Sequence, residues 1–170
     1  LEDAFAEYGF PQRQLMDSTF EQRMEEAAGR YAEILLAHEL AEDAEEVPEW
    51  KEILSLAAGD RHAEHYLRAV KDLVADTSDQ GPLKIIIRNR DFGALGLTIA
   101  LTEGFRKVLY PEIREAYAKL KLHNDWTPVE HMREAGYKRF RAKRDDIVNL
   151  FRSGTGRDDF LCAVKKLGSA

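Results

Sequence analysis

Three histidines stand where they could bind a metal ion. His38 falls on the apolar stripe of a predicted helix, the position of a ligand inside a helical bundle. His62 and His65 are three residues apart and therefore share one face of a helix. Dicarboxylate metal sites in bundles need paired Glu-x-x-His elements and further inward glutamates, and the sequence shows no such pair. We therefore name these three as candidate ligands, and predict neither a metal centre nor another cofactor.

Other residue types that carry chemistry do not combine into a catalytic signature. HELAE, at residues 38–42, has half of a zinc-protease motif but lacks the second histidine. Cys162 lies between apolar neighbours, which favours a packing role over a reactive thiolate. RSGTGRDD, at residues 152–159, contains glycines and basic residues but lacks the lysine–hydroxyl ending of a P-loop. The sequence therefore favours a protein that is not an enzyme.

A dense basic segment, YKRFRAKR at residues 137–144, could bind phosphate groups. Lysine and arginine neutralise phosphates, and Tyr137 could stack on an exposed base. The alternative is an internal face that meets the acidic first helix of the same chain. On a helical wheel, Arg133 and Arg144 fall on the apolar side and must find a carboxylate or extend to solvent. The candidate partner-binding or nucleic-acid-binding residues are Arg133, Tyr137, Lys138, Arg139, Arg141, Lys143 and Arg144.

An acidic run, AEDAEEVPEW at residues 41–50, is a candidate docking patch for a basic partner. Its carboxylates would attract the partner, and Trp50 would serve as an apolar anchor. The alternative is a helix end that only faces water. The candidate patch residues are Glu42, Asp43, Glu45, Glu46 and Trp50.

Composition sets the class of protein. The chain has 170 residues, of which 44% are hydrophobic, so it is long and apolar enough for a sizeable core and is not disordered. No run of about 18 apolar residues is available to span a membrane. The single cysteine, Cys162, excludes an internal disulfide and favours a cytoplasmic location. We predict one domain over residues 1–170.

The two halves of the chain carry opposite charge. Residues 1–80 contain 20 acidic and 7 basic residues, a net charge of −13. Residues 81–170 contain 11 acidic and 18 basic residues, a net charge of +7, which returns the total of −6. The halves either attract each other in one fold or present separate fields to different partners. The turn-forming cluster at residues 76–82 lies where the sign changes and is a candidate hinge.

Periodicity and capping signals predict an all-α fold. Ser18 and Glu21 form a capping box before a long helix at 19–45, with Met24, Ile34, Leu35 and His38 on its apolar stripe. Asp60 caps the next long helix, and Thr127 with Pro128 starts another that runs to Arg152. Residues 83–101 favour helix, although the β-branched run at 85–87 leaves a short β-hairpin as an alternative. We expect a compact bundle of six or seven helices.

These observations favour a non-catalytic, intracellular interaction or adaptor module that works within a larger assembly. The alternative is a nucleic-acid-binding accessory protein that uses the basic helix at 128–152. A third hypothesis is a helical-bundle metal protein or enzyme built around His38, His62 and His65. The first hypothesis implies a protein partner and the second a nucleic acid, while the third implies neither.

Overall fold

The computed structural model describes residues 20–168, and this part of the chain is helical without strands. The helices are α1 (Phe20–Ala44), α2 (Trp50–Ala57), α3 (Arg61–Thr77), α4 (Pro82–Asn89), α5 (Phe92–Leu101), α6 (Gly104–Leu109), α7 (Glu112–His123), α8 (Thr127–Arg152) and α9 (Arg157–Gly168). The all-α class is confirmed. The described helices outnumber the six or seven predicted, because the segment between Pro82 and Leu109 is divided into three short ones. None of the described helices is long and apolar enough to cross a membrane.

Residues 83–101 form two helices and not a β-hairpin. Pro82 occupies the first turn of α4, where a missing N–H costs nothing, and Arg90 ends that helix in the left-handed region with a φ of 51°. The Asp91 carboxylate then accepts a hydrogen bond from the backbone N–H of Ala94 at 2.9 Å and starts α5. These start and stop signals outweigh the β-branched run. Ile86 is buried on one face of α4, so the helix satisfies the burial that a strand would otherwise have provided.

The other predicted helix ends agree with the structure to within one or two residues. Asp60 caps α3 by accepting a hydrogen bond from the N–H of Ala63 at 3.2 Å, as predicted. Thr127 is the first residue of α8 and not its cap; Trp126 holds the cap position, without a side-chain hydrogen bond. α8 ends at Arg152 as expected. The predicted cap Ser18 lies outside the described residues.

Two groups of buried apolar side chains form the core. The first surrounds the N-terminal half of α8 and includes Ile34, Leu73, Leu83, Ile86, Leu95, Ile113, Leu120, Val129 and Phe140. The second surrounds the C-terminal half of α8 and includes Trp50, Ile53, Tyr66, Leu67, Val70, Ile147, Phe160 and Val164. α3 and α8 contribute to both groups. The central pair of helices therefore joins one helix from the acidic half of the chain to one from the basic half.

The turn at residues 76–82 folds closely against the end of α3. Thr77 and Ser78 are buried. A Cβ atom on Gly81 would lie only 2.0 Å from the carbonyl oxygen of Ala75, so only glycine fits at this position. The segment that marks the change of charge along the sequence is therefore packed between α3 and α4.

Candidate functional site

Arg133 is the most buried member of the predicted basic face. Only 1% of its surface is exposed, because α8 carries it on the side that faces the core. Its guanidinium donates hydrogen bonds to the carbonyl oxygen of Thr77 at 2.6 Å, to Asp79 at 3.0 Å and to Glu130 at 2.8 Å. The charge thus holds the turn after α3 against α8, and it is not presented to solvent.

Arg144 and Tyr137 both contact one acidic residue, Glu45, beyond the end of α1. Arg144 donates to the Glu45 carboxylate at 3.0 Å and to its backbone carbonyl at 3.2 Å. The Tyr137 hydroxyl donates to the other carboxylate oxygen. Burial, together with the Glu45 carboxylate, raises the pKa of Tyr137. Glu45 was predicted to attract an external partner, but the structure pairs it with the basic helix of the same chain.

Arg139 makes a third pair, between α8 and α7. Its guanidinium donates to Glu112 at 3.1 Å and to the carbonyl oxygen of Leu109 at 3.0 Å. It also lies over the ring of Phe140, 4.9 Å from the centroid. The hydrogen bond from Arg139 lowers the pKa of Glu112. Arg133, Arg139 and Arg144 are therefore all used in contacts between helices.

Lys138, Arg141 and Lys143 are the remaining predicted cations, and none forms an ion pair with another described residue. Arg141 lies over the Tyr137 ring at 5.4 Å. Lys138 and Arg141 are exposed, while Lys143 is half-buried. The exposed Glu134 and Asp145 stand on the same helix. The outer side of α8 consequently carries charges of both signs.

The residues of the predicted acidic docking patch do not form one exposed surface. Trp50 is 3% exposed and lies in the second core group, so it cannot act as an exposed anchor. Glu42 and Glu45 are half-buried and bind cations of the same chain. Only Asp43 and Glu46 remain exposed among the predicted patch residues. The acidic run therefore contributes mainly to internal pairing.

His38 lies at the centre of an ionic cluster between α1 and α3. Its Nδ1 is 2.8 Å from an oxygen of Asp76, and its Nε2 is 3.3 Å from an oxygen of Glu42. Lys71 donates to the other oxygen of Glu42 at 2.6 Å. Hydrogen bonds to Asp76 and Glu42 raise the pKa of His38 to about 10, and the hydrogen bond from His38 lowers that of Glu42 to about 2. His38 is therefore an imidazolium near neutral pH.

Asp72 is the least satisfied member of this cluster. Its closest cation is Arg106, at 3.7 Å, and Arg106 also lies 3.9 Å from Asp76. Burial is the main cause that raises the pKa of Asp72 to about 6, and the neighbouring charges of Asp76 and Glu42 act in the same direction. Folding therefore makes this carboxyl group easier to protonate, although with a pKa of about 6 it is still mostly ionised near neutral pH.

The same cluster contains the arrangement that comes nearest to a metal site. His38, Glu42 and Asp72 each offer a ligand atom, and these atoms lie within 4.8 Å of one another. Lys71 and Arg106 share the cluster, and the bound proton on His38 would have to leave before a metal could bind. The ion pairs of the cluster join α1, α3 and α6.

The structure groups His38 with partners other than the predicted His62 and His65. His62 and His65 are exposed on α3, and the His62 ring lies 5.0 Å from the ring of Phe105 in an edge-to-face contact. Asp72 and Asp76 were missed as partners of His38. The four-residue spacing of His38 with Glu42 and of Asp72 with Asp76 was the available signal, because each spacing places two side chains on one helix face.

α1 also carries exposed apolar residues on the side that faces away from the bundle. Its inner face buries Ala27, Ile34, Ala37 and Ala41 against the helices beneath it. Leu35, Leu36 and Leu40 remain 49%, 60% and 59% exposed. Leu35 was predicted on the inner stripe together with Met24, but Met24 is 42% exposed as well. We call Ala32, Leu36 and Leu40, which follow one another at four-residue steps, the outer ridge of α1.

Carboxylates surround the outer ridge of α1. Glu33 and Glu39 stand beside it, and Glu25 and Asp43 stand toward its two ends. All four residues are exposed, and none of their side-chain carboxylates forms an ion pair or hydrogen bond with another described residue. α1 contains seven acidic residues against two basic residues and the protonated His38, three positive charges that leave a net charge of −4. This helix therefore presents an apolar surface within a negative field.

Comparison with protein families assigns the chain to one family. A family model described as "Family of unknown function (DUF6866) C-terminal domain" matches residues 1–166, so the chain belongs to this family. No curated protein and no solved structure matches the chain. The family description names no activity, and the function therefore has to follow from the geometry above.

Proposed function

We propose that this chain is a non-catalytic interaction module that binds a helix of a protein partner along the outer ridge of α1. The observation that carries this proposal is the exposure of Leu36 and Leu40, at 60% and 59%, on a helix whose opposite face is already packed. Exposed leucines clustered on one face mark binding surfaces more often than scattered ones do. A helix laid along the ridge would remove both side chains from water.

The pairing of the basic helix supports a protein partner over a nucleic acid. Arg133, Arg139 and Arg144 hold α8 against the turn after α3, against α7 and against Glu45. Recruiting them to phosphates would break these contacts. The cations that remain lie beside exposed carboxylates on the same helix, and α1 adds a further negative field. Nucleic-acid binding by the basic helix stays a prediction.

The ion network around His38 supports a structural role over a catalytic one. Its three carboxylates face three cations when His38 is protonated, so the charges balance within the protein. The family description refers to a C-terminal domain, which agrees with a module that works within a longer protein or an assembly. The cytoplasmic location stays a prediction.

Site-specific photo-crosslinking tests this proposal. A photoreactive amino acid replaces Leu36 in the full chain, expressed in cells of its source, and the crosslinked products are identified by mass spectrometry. The matched control carries the same group at Leu122, which is 79% exposed on α7 away from the ridge. We expect one protein to be crosslinked from position 36 and not from position 122. The same product should disappear when Leu40→Gln is added.

Three results would overturn the proposal. Equal products from both positions would show that the outer ridge has no particular partner. Crosslinks from position 36 to residues 1–19 of the same chain would show that the chain covers its own ridge. Crosslinks to a second copy would make the ridge a self-association surface.

A further inference from the structure

We infer that the segment bound on the outer ridge of α1 is a basic amphipathic helix, with large aliphatic residues on one face and lysine or arginine along both edges. The inference rests on the proposed function and specifies the chemistry of its partner. Two observations carry the inference: the shape of the surface along the ridge, and the charge of the residues beside it.

The shape of the ridge is complementary to another helix. Leu36 and Leu40 project from α1, while Gly29 and Ala32 precede them on the same side and present little or no side chain. A row of residues at four-residue steps is the ridge that packs into the groove of a second helix. The low end at Gly29 and Ala32 admits a bulky residue of the partner, and the two leucines enter the space between partner side chains.

The charge around the ridge selects a basic partner. Glu33 and Glu39 border the apolar residues, and neither is neutralised by a described cation. An acidic helix placed there would add like charges beside them, which costs affinity. A second copy of this chain would place its own four carboxylates against the same four of the first copy, which are Glu25, Glu33, Glu39 and Asp43. Lysine or arginine at the edges of the partner removes this repulsion and accelerates association at low salt.

Two synthetic peptides test this inference directly. Both are 18-residue helical peptides, as a chosen length of about five turns, with leucines at heptad positions along one face. One carries lysine at the edge positions, and the other carries glutamate at the same positions. Fluorescence anisotropy of each labelled peptide is titrated with the full chain at low and near-physiological salt. We expect the lysine peptide to bind at least about tenfold more tightly than the glutamate peptide, by an amount that shrinks with salt.

Surface variants locate the binding. Leu36→Gln with Leu40→Gln should weaken the lysine peptide about tenfold or more, because both leucines lose their apolar contact. Glu33→Lys with Glu39→Lys should also weaken it about tenfold, because two attractions become repulsions. Glu115→Lys, an exposed change on α7, should leave the affinity unchanged. Circular dichroism confirms that each variant is folded.

The outcomes separate the inference from the proposed function. Equal binding of both peptides through Leu36 and Leu40 would overturn the charge assignment and leave the ridge as a docking surface. No binding of either peptide, with a specific crosslink from position 36, would overturn the basic-helix assignment alone. Binding that survives the double leucine change would place the peptide elsewhere and overturn the inference. Failure of both the peptides and the crosslink would reject the proposed function too.

Discussion

Replacing Arg133 with methionine should destabilise the fold more than any change to an exposed cation of the basic helix. Arg133 is 1% exposed, and its guanidinium holds the carbonyl oxygen of Thr77, Asp79 and Glu130. Arg133→Met keeps most of the aliphatic volume but removes every donor. The experiment therefore measures the polar contacts of the guanidinium and leaves the packing of its stem nearly unchanged.

The magnitude follows from which partners remain satisfied. Asp79 has 78% of its side chain exposed and regains water, and Glu130 keeps its contact with Lys84 at 2.6 Å. The Thr77 carbonyl lies at a buried residue, and a buried acceptor left without a donor costs about 1–3 kcal/mol. The lost hydrogen bonds from a charged group contribute a further ~1.5–3 kcal/mol, part of which is returned because the guanidinium no longer has to be desolvated. We expect a net loss of about 3 kcal/mol.

Urea denaturation followed by circular dichroism measures this loss. Arg141→Met is the matched control, because Arg141 stands on the same helix, is exposed and pairs with no described carboxylate. Its effect should stay within about 0.5 kcal/mol. A loss of 3 kcal/mol corresponds to a melting temperature lower by roughly 6–12 °C for a domain of this size. If both variants lose the same stability, the contacts of Arg133 do not hold the turn at residues 76–82 against α8.

Three further perturbations test other parts of the structure. The pKa of His38 rises from 6.5 to about 10 on folding, so protonated His38 stabilises the folded state fully below pH 6.5 and loses this effect toward pH 10. The urea midpoint of His38→Asn should therefore fall less with rising pH than that of the natural chain. The pKa of Asp72 rises from 3.8 to about 6, so its charge opposes folding; Asp72→Asn should raise the melting temperature at pH 7.5 but not below pH 3.8. An unchanged difference across pH would contradict either prediction. Gly81→Ala should lower the free energy of unfolding by more than about 2 kcal/mol in urea denaturation, because its Cβ would lie 2.0 Å from the Ala75 carbonyl oxygen. Gly29→Ala, where a Cβ would meet no atom within 4 Å, should instead stabilise α1 by ~0.5–1 kcal/mol. Equal effects of the two substitutions would contradict the close approach at Gly81.

The sequence alone determined the helical class and most helix ends. Asp60 caps α3, and α8 ends at Arg152 before a glycine in the left-handed region, Gly154, with a φ of 71°. These features are readable because a cap or a stop acts on backbone groups within a few residues of itself. The same local signals explain why residues 83–101 are helical, since Pro82 and Asp91 each start a helix. They also account for the extra helices that the predicted number omitted.

Only the tertiary structure decided which charges meet. Arg144 and Glu45 are 99 residues apart, and His38 and Asp76 are 38 residues apart. The opposite charges of the two halves showed that such pairs could form, but pairing depends on which helix faces lie against each other. Trp50 illustrates the same limit, because its acidic surroundings in the chain gave no sign that its ring would be buried in the core.

The outer ridge of α1 shows the same division between local and tertiary information. α1 has apolar residues on more than one side, so periodicity predicted a long helix but placed Leu35 on the inner stripe. Packing against α3 and α4 selected Ala27, Ile34, Ala37 and Ala41 as the inner face, where the three alanines leave room for the neighbouring helices. Leu36 and Leu40 were thereby left in solvent. The sequence determined that α1 is a helix, and the tertiary structure determined which of its apolar residues stay exposed.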